Sequence, residues 1–176
     1  EDFGDQQLLP FLVSNLNAAT AFYQKAFDAL VCQISLPDEQ TDIPTYDAKR
    51  LKTELDVFPE WFLSGLLGVQ PDERLRQCFA TLTDYLISVF AEQPTVWVHR
   101  DFHSRNLMLL EEDELGVIDF QDAVLGPITY DPVSLLKDCY IRWPRAQQLA
   151  WLDSYLLQLR RVGLAAPSED AATPSM

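Results

Sequence analysis

A chain of 176 residues that is 48% hydrophobic and 23% charged fits one ordinary globular domain, long enough to bury a sizeable core. Its 27 acidic residues outnumber 13 basic ones, a net charge of −14, and that field disfavours nucleic acid and anionic membranes as partners. A nucleotide is still admissible because Mg²⁺ can bridge carboxylates to phosphates, whereas no apolar run approaches the roughly 18 residues of a membrane span.

The chain opens Glu1-Asp2-Phe3-Gly4, with no Met and no leader-like segment, as expected of a piece of a longer protein. Residues 1–14 read as a linker. The first helix is expected from Asn15, a good cap, with Ala19, Phe22, Tyr23, Ala26, Phe27, Leu30 and Ile34 at helical spacing. A polar loop over Pro37 to Thr45 follows. Asp47 can cap a second helix with Leu51, Leu55, Phe58 and Phe62 on one face, which Pro59 must kink or end. Pro71-Asp72-Glu73 opens a third, its face carrying Leu75, Phe79, Leu82 and Leu86. Cys32, Cys78 and Cys139 are far apart and lie among apolar residues, so free buried thiols in a reducing compartment are expected.

The pattern then changes to short strands, at Thr95 to Val98, Leu107 to Leu110 and Leu115 to Ile118. The acidic turn Glu111 to Glu114 joins the last two as a hairpin with a solvated tip. Helices resume at Asp131-Pro132, a cap followed by proline, and at Pro144, with Leu149, Leu152, Leu156 and Leu159 on one side. Residues 164–176 read as a disordered tail. The expected fold class is α+β and mostly helical, with residues 15–163 as one lobe.

Three segments carry the chemistry: His99-Arg100-Asp101-Phe102-His103-Ser104-Arg105-Asn106, Val117-Ile118-Asp119-Phe120, and Gly126-Pro127-Ile128-Thr129-Tyr130-Asp131, the last expected to open a helix. In phosphoryl transfer a hydroxyl nucleophile needs a carboxylate to accept its proton, and Mg²⁺ prefers hard oxygens. H-R-D-x-x-x-x-N followed by D-F matches the kinase template, with Asp101 as base and Asn106 and Asp119 as Mg²⁺ ligands. The hairpin would return Asp119 beside Asn106. His99 is expected to hold the loop rather than react, and Asp131 to be a plain helix cap.

V-H-R-D-F-H-S-R-N-L-M, V-I-D-F-Q-D-A and G-P-I-T-Y-D-P-V-S-L-L resemble the aminoglycoside-phosphotransferase and choline-kinase-like family. With E-L-D-V-F-P-E-W-F and the opening E-D-F-G-D-Q, the likeness is strongest to its bacterial anomeric kinases of N-acetylmuramate and N-acetylglucosamine, which serve cell-wall recycling. The resemblance implies the C-terminal lobe of a protein-kinase-like fold in a cytoplasmic, ATP- and Mg²⁺-dependent sugar kinase. It places Glu1 and Phe3 at a hinge that meets adenine, with Met108 and Ile118 beneath the base. It also implies an N-terminal lobe in cis, outside this chain, bearing a phosphate-covering loop and a lysine. Gln121 after Asp119-Phe120, and the lack of an A-P-E segment, favour a small-molecule acceptor over a protein.

Arg105 and His103 on the loop, with Glu54, Glu60, Trp61, Arg142 and Trp143, are candidates for the sugar pocket, since aromatic faces and charged hydrogen bonders suit a sugar. Two rival readings are an aminoglycoside or amino-alcohol phosphotransferase, suited by the negative charge, and a nucleotide- or sugar-binding module without catalysis.

Overall fold

The computed structural model describes residues 3–35 and 43–164. Glu1, most of the polar loop after the first long helix and nearly all of the expected tail lie outside the described residues.

Seven residues of the expected linker form a helix, α1 (Leu8–Ser14), which tolerates Pro10 in its first turn and buries Leu8 and Leu12, four apart. Asn15 caps nothing with its side chain at the next helix. Its amide instead donates to the Phe11 carbonyl at 3.0 Å, closing α1. A short 3₁₀ turn then leads into α2 (Ala19–Ile34), which buries Ala19, Phe22, Tyr23, Ala26, Phe27 and Leu30 as the periodicity predicts.

Asp47 caps α3 (Ala48–Val57) by accepting from the Arg50 amide at 2.8 Å. The α-helix ends at Val57, two residues before Pro59, as expected. Lacking an N–H, Pro59 shifts the chain into wide π turns over Phe58–Leu66, where the Leu67 amide reaches back five residues to the Phe62 carbonyl at 3.0 Å. Asp72 caps α4 (Glu73–Ala91) in the same way as Asp47 does α3.

Two antiparallel pairs follow. β1 (Thr95–Val98) pairs with β4 (Val124–Pro127), Val98 opposite Val124, and β2 (Leu107–Leu109) pairs with β3 (Leu115–Val117), Leu107 opposite Val117. β4 takes up Gly126 and Pro127, which were expected to open a helix; α5 (Tyr130–Leu136) begins three residues later. The final helix is α6 (Arg145–Arg161). Its buried face is Gln148, Trp151, Tyr155 and Leu159, one step from the leucine stripe, because its aromatic residues pair with those of α2. Leu152 and Leu156 pack at the edge, and Leu149 is exposed.

The main core therefore lies between α2 and α6. Tyr23 stacks on Trp151 at 4.0 Å and meets Trp143 edge-on at 5.8 Å, while the Trp143 indole N–H donates to the Tyr23 hydroxyl at 2.7 Å. Trp143 is thus a core residue, and its polar handle faces inward rather than toward a sugar. A smaller core of Tyr46, Leu51, Val98 and Val124 fastens α3 and α4 to the β1–β4 pair. Much of the apolar surface of Phe58–Leu66 and of α4 stays outside both cores: Phe58, Trp61, Leu75, Leu82 and Tyr85 are exposed. All three cysteines are free as expected, but they are exposed rather than buried. Among the described residues, no helix is long and apolar enough to cross a membrane.

The two buried tyrosines of this core, Tyr23 and Tyr155, differ in satisfaction. Among the described residues the Tyr155 hydroxyl is buried without a hydrogen-bond partner, whereas that of Tyr23 receives the Trp143 N–H. Tyr155→Phe should therefore hold or raise the melting temperature. Tyr23→Phe should lower stability by about 1 kcal/mol by orphaning the indole. Thermal melts of the two variants check this, and equal losses would contradict it.

Candidate active site

The loop between β1 and β2 turns sharply into the protein, so its amides leave water and need acceptors from elsewhere. Asp131, only 3% exposed, provides them: its two oxygens accept from the His99 amide at 2.7 Å and the Arg100 amide at 3.0 Å. Asp131 is therefore not the expected cap of α5. It lies inside the helix's first turn and faces the loop. Asp138, seven residues on and also buried, repeats the device at the loop's other end. It accepts from the Ser104 amide at 2.9 Å and the Ser104 hydroxyl at 2.5 Å. From the opposite side, the Leu9 amide of α1 donates to the Ser104 carbonyl at 3.1 Å.

The His99 ring is buried, with Nε2 2.9 Å from the Ile118 carbonyl. Burial pushes its pKa down, so the neutral ring donates to that carbonyl and ties the loop to the end of β3. This is the holding role expected of it.

So anchored, the loop brings Asp101, Asn106 and Asp119 together, as their spacing predicts. The Asp101 carbonyl accepts from the His103 amide and the Asn106 side-chain amide, each at 3.0 Å. The same Asn106 nitrogen lies 3.4 Å from Asp119 Oδ2, while the Ile118 amide donates to the Asn106 carbonyl at 3.0 Å. Gln121 donates to Asp119 Oδ1 at 2.6 Å. Asp101 and Asp119 are exposed, and among the described residues nothing hydrogen-bonds the Asp101 carboxylate. Arg100 (φ 75°) and Asp119 (φ 71°) both adopt the left-handed backbone conformation that a non-glycine residue holds only where its surroundings enforce it.

The Asn106 amide spends its N–H₂ group on Asp101 and Asp119, which leaves its oxygen without a hydrogen bond among the described residues. One carboxylate and one amide oxygen, both hard, are a donor set that Mg²⁺ accepts when phosphate oxygens and water complete its shell. Among the described residues no cluster of three His, Cys, Asp or Glu side chains could hold a metal without such help.

The remaining candidates scatter. The Arg105 guanidinium lies 4.9 Å over the Tyr140 ring, and the His103 ring meets the same tyrosine edge-on at 5.2 Å. Arg142 is exposed and lines a neighbouring cleft with Asp138 and Tyr140. Glu54 grips Arg100 at 2.6 Å. Glu60 and Trp61 are exposed on the wide helix. Phe3 packs its ring on Gly116, leaving no room there for a side chain. Met108 pairs with Gly116 in register, and Ile118 shares that strand face by alternation. Phe3, Met108 and Ile118 thus border one side of the hairpin, and Glu1 lies outside the described residues. Sequence reasoning missed Asp138 and Tyr140, and it noted Gln121 only as a departure from the protein-kinase pattern. The signal for Asp138 was its spacing, seven residues beyond Asp131 and just past the end of a short apolar helix, which returns it to the same side.

The chain matches the model of the phosphotransferase enzyme family (APH) over residues 6–169. It is 36% identical over 168 residues to the N-acetylmuramate/N-acetylglucosamine kinase of Pseudomonas putida, covering 96% of this chain and 48% of that protein. The protein of the same name from Neisseria meningitidis serogroup B is 42% identical over 125 residues, covering 71% of this chain and 37% of that protein. The chain spans about half the length of the curated relatives it matches. Among solved structures, APH(2")-IIa with gentamicin superposes with a TM-score of 0.63 at 17% identity, covering 90% of this chain and 55% of that one. A glucosamine kinase superposes at 0.53 and 18% identity, covering 91% and 48%. These structural likenesses establish the α+β fold of the C-terminal lobe.

Burial pushes the Asp131 carboxyl up from 3.8 to about 6, although the His99 and Arg100 amides pull it down. Because the native value is the higher one, protonation favours the native state. This contribution is complete below the unfolded value and is lost as pH rises through about 6. The stability of wild type minus that of Asp131→Asn should therefore fall by on the order of 3 kcal/mol across that window and then stay level. Urea melts at a series of pH values measure it; a difference that rises with pH would refute the assignment.

Proposed function

The chain belongs to the phosphotransferase enzyme family, and from that premise we propose that it is the acceptor- and metal-binding half of an ATP-dependent amino-sugar kinase. Its substrate on this reading is N-acetylmuramate or N-acetylglucosamine, phosphorylated at the anomeric hydroxyl for cell-wall recycling in the cytoplasm. The observation that carries the reading is the Asn106 amide between the Asp101 carbonyl and the Asp119 carboxylate, which gathers the three residues into one site. The relatives at 36–42% identity support an amino sugar over an aminoglycoside, since the aminoglycoside phosphotransferases compared share only 17% identity or thereabouts with this chain.

Asp101 acts through its unengaged carboxylate, which accepts or orients the proton of the sugar hydroxyl as that oxygen attacks the γ-phosphorus of ATP, whose bond to the β,γ-bridging oxygen breaks to release ADP. Asn106 holds the loop closed through its N–H₂ group and, with its free oxygen, forms a metal site together with Asp119. Mg²⁺ bound there would neutralise charge on the phosphate oxygens. Gln121 orients the Asp119 carboxylate by occupying its other oxygen. Phe3, Met108 and Ile118 border the adenine. A phosphate-covering loop and a lysine, as the family resemblance implies, would come from a further lobe in cis.

The full-length protein should phosphorylate N-acetylmuramate or N-acetylglucosamine, with ATP and Mg²⁺, on the anomeric oxygen as identified by NMR. Turnover of kanamycin and neither amino sugar would move it to antibiotic modification. Asp101→Asn should lower kcat by about 10²–10⁴-fold. Asp119→Ala should raise the Mg²⁺ concentration needed for half-maximal rate. Full activity of the Asp101 variant would sink the assignment.

A further inference from the structure

Arg100 precedes the proposed base and carries a left-handed backbone, so whatever fixes its side chain also fixes the direction in which Asp101 leaves the loop. Its amide is held by Asp131 at 3.0 Å. Its guanidinium reaches across to α3, where Nη2 donates to Glu54 Oε1 at 2.6 Å. The pair is only partly open to solvent, with side-chain exposures of 26% and 37%. Burial alone would lower the Arg100 pKa, but Glu54 and Tyr130 more than reverse this and raise it.

The other Glu54 oxygen is also occupied, by the Tyr46 hydroxyl. Tyr46 in turn meets Tyr130 edge-on at 5.5 Å, and the Tyr130 phenol interacts with both Arg100 and Glu54. With both carboxylate oxygens engaged, Glu54 is poorly placed to serve a sugar hydroxyl, the role its sequence context suggested. Glu54 and Arg100 nevertheless wall a cleft of about 570 Å³ whose rim includes Gln121, the partner of Asp119. The clamp therefore stands between the helical part of the chain and both proposed functional carboxylates.

We propose that Glu54 is a positioning residue: through Arg100 it locks the strained backbone before Asp101 and so aims the Asp101 carboxylate at the acceptor. This rests on the reading of Asp101 as the group that takes the acceptor's proton. Tyr46 supports the clamp by fixing the Glu54 rotamer. An uncharged amide of the same shape at position 54 keeps the packing but weakens the charge-assisted bond to Arg100.

Two measurements on the full-length protein test this. In Glu54→Gln, amide hydrogen exchange over residues 99–103 should quicken about 10-fold or more, while α2 and α6 keep wild-type protection. In the same variant kcat should fall by about 10- to 100-fold, the cost of a misaimed group, with the KM for the amino sugar within about twofold of wild type. Arg100→Lys should behave alike, and the double variant should be no worse than either single one. Tyr46→Phe, which leaves the ion pair in place, should give a smaller change of the same kind and guards against misfolding of the first variant. A raised KM with kcat retained would make Glu54 a sugar contact and overturn the proposal, as would unchanged exchange in the loop. If the wild type phosphorylates no amino sugar, the kinase reading fails and the exchange result alone decides the clamp.

Discussion

The loop between His99 and Asn106 can exist in its observed shape because two carboxylates are buried behind it. Burying an ionised carboxylate costs several kcal/mol unless hydrogen bonds replace the lost water, and each of these receives more than one. Asp131 takes the amides of His99 and Arg100, and Asp138 takes the amide and hydroxyl of Ser104. The acids stand seven residues apart, one in the first turn of α5 and the other just past its end, so a single short helix anchors both ends of the loop. The left-handed conformation at Arg100 is then imposed from outside. Among the described residues the exposed Asp101 carboxylate is left without a hydrogen-bond partner, because the loop's own needs are met from beneath.

Everything around α5 serves to hold that helix in place. The α2–α6 core packs on one side of it through Leu135 and Leu136, and the smaller core beneath β1 and β4 reaches its first turn through Tyr130. The loop itself joins the first of these clusters by burying Phe102 there, while Asp101 beside it stays exposed. Such a position combines rigid support with access to solvent, which the role proposed for Asp101 would use.

The sequence declared the loop more clearly than the fold. H-R-D-x-x-x-x-N and the D-F dipeptide are local strings whose geometry depends mainly on one hairpin, and that hairpin was evident from its apolar runs and acidic tip. β4 was obscured because Gly126 and Pro127 look like helix-opening residues, and only pairing with β1 makes them strand. α1 was obscured by its seven-residue length and by Pro10. The exposed apolar residues of Phe58–Leu66 and α4 show the limit of periodicity: a regular apolar pattern says which residues share a face, not whether anything covers it. Asp131 illustrates the same limit in polar form. Asp-Pro before an apolar run is a good cap by composition, yet a carboxylate bonds whichever amides lie nearest, and here those belong to the loop.

Charge placement bears on why the site looks incomplete. The chain carries 27 acids against 13 bases, and the two cations of the loop are already engaged, Arg100 by Glu54 and Arg105 on the face of Tyr140. Neither is poised to meet a phosphate. Bringing a triphosphate beside Asp101 and Asp119 would therefore set like charge against like charge unless positive charge arrived with it. On the proposed reading that charge would come from two directions, a metal that Asn106 and Asp119 could share and the lysine that the family resemblance implies for a further lobe. The division has a physical logic. A base is useful only while its carboxylate stays free, and a permanent cation on the same loop would capture it. Arg100 sits beside Asp101 in the chain, and the Glu54 clamp turns it away.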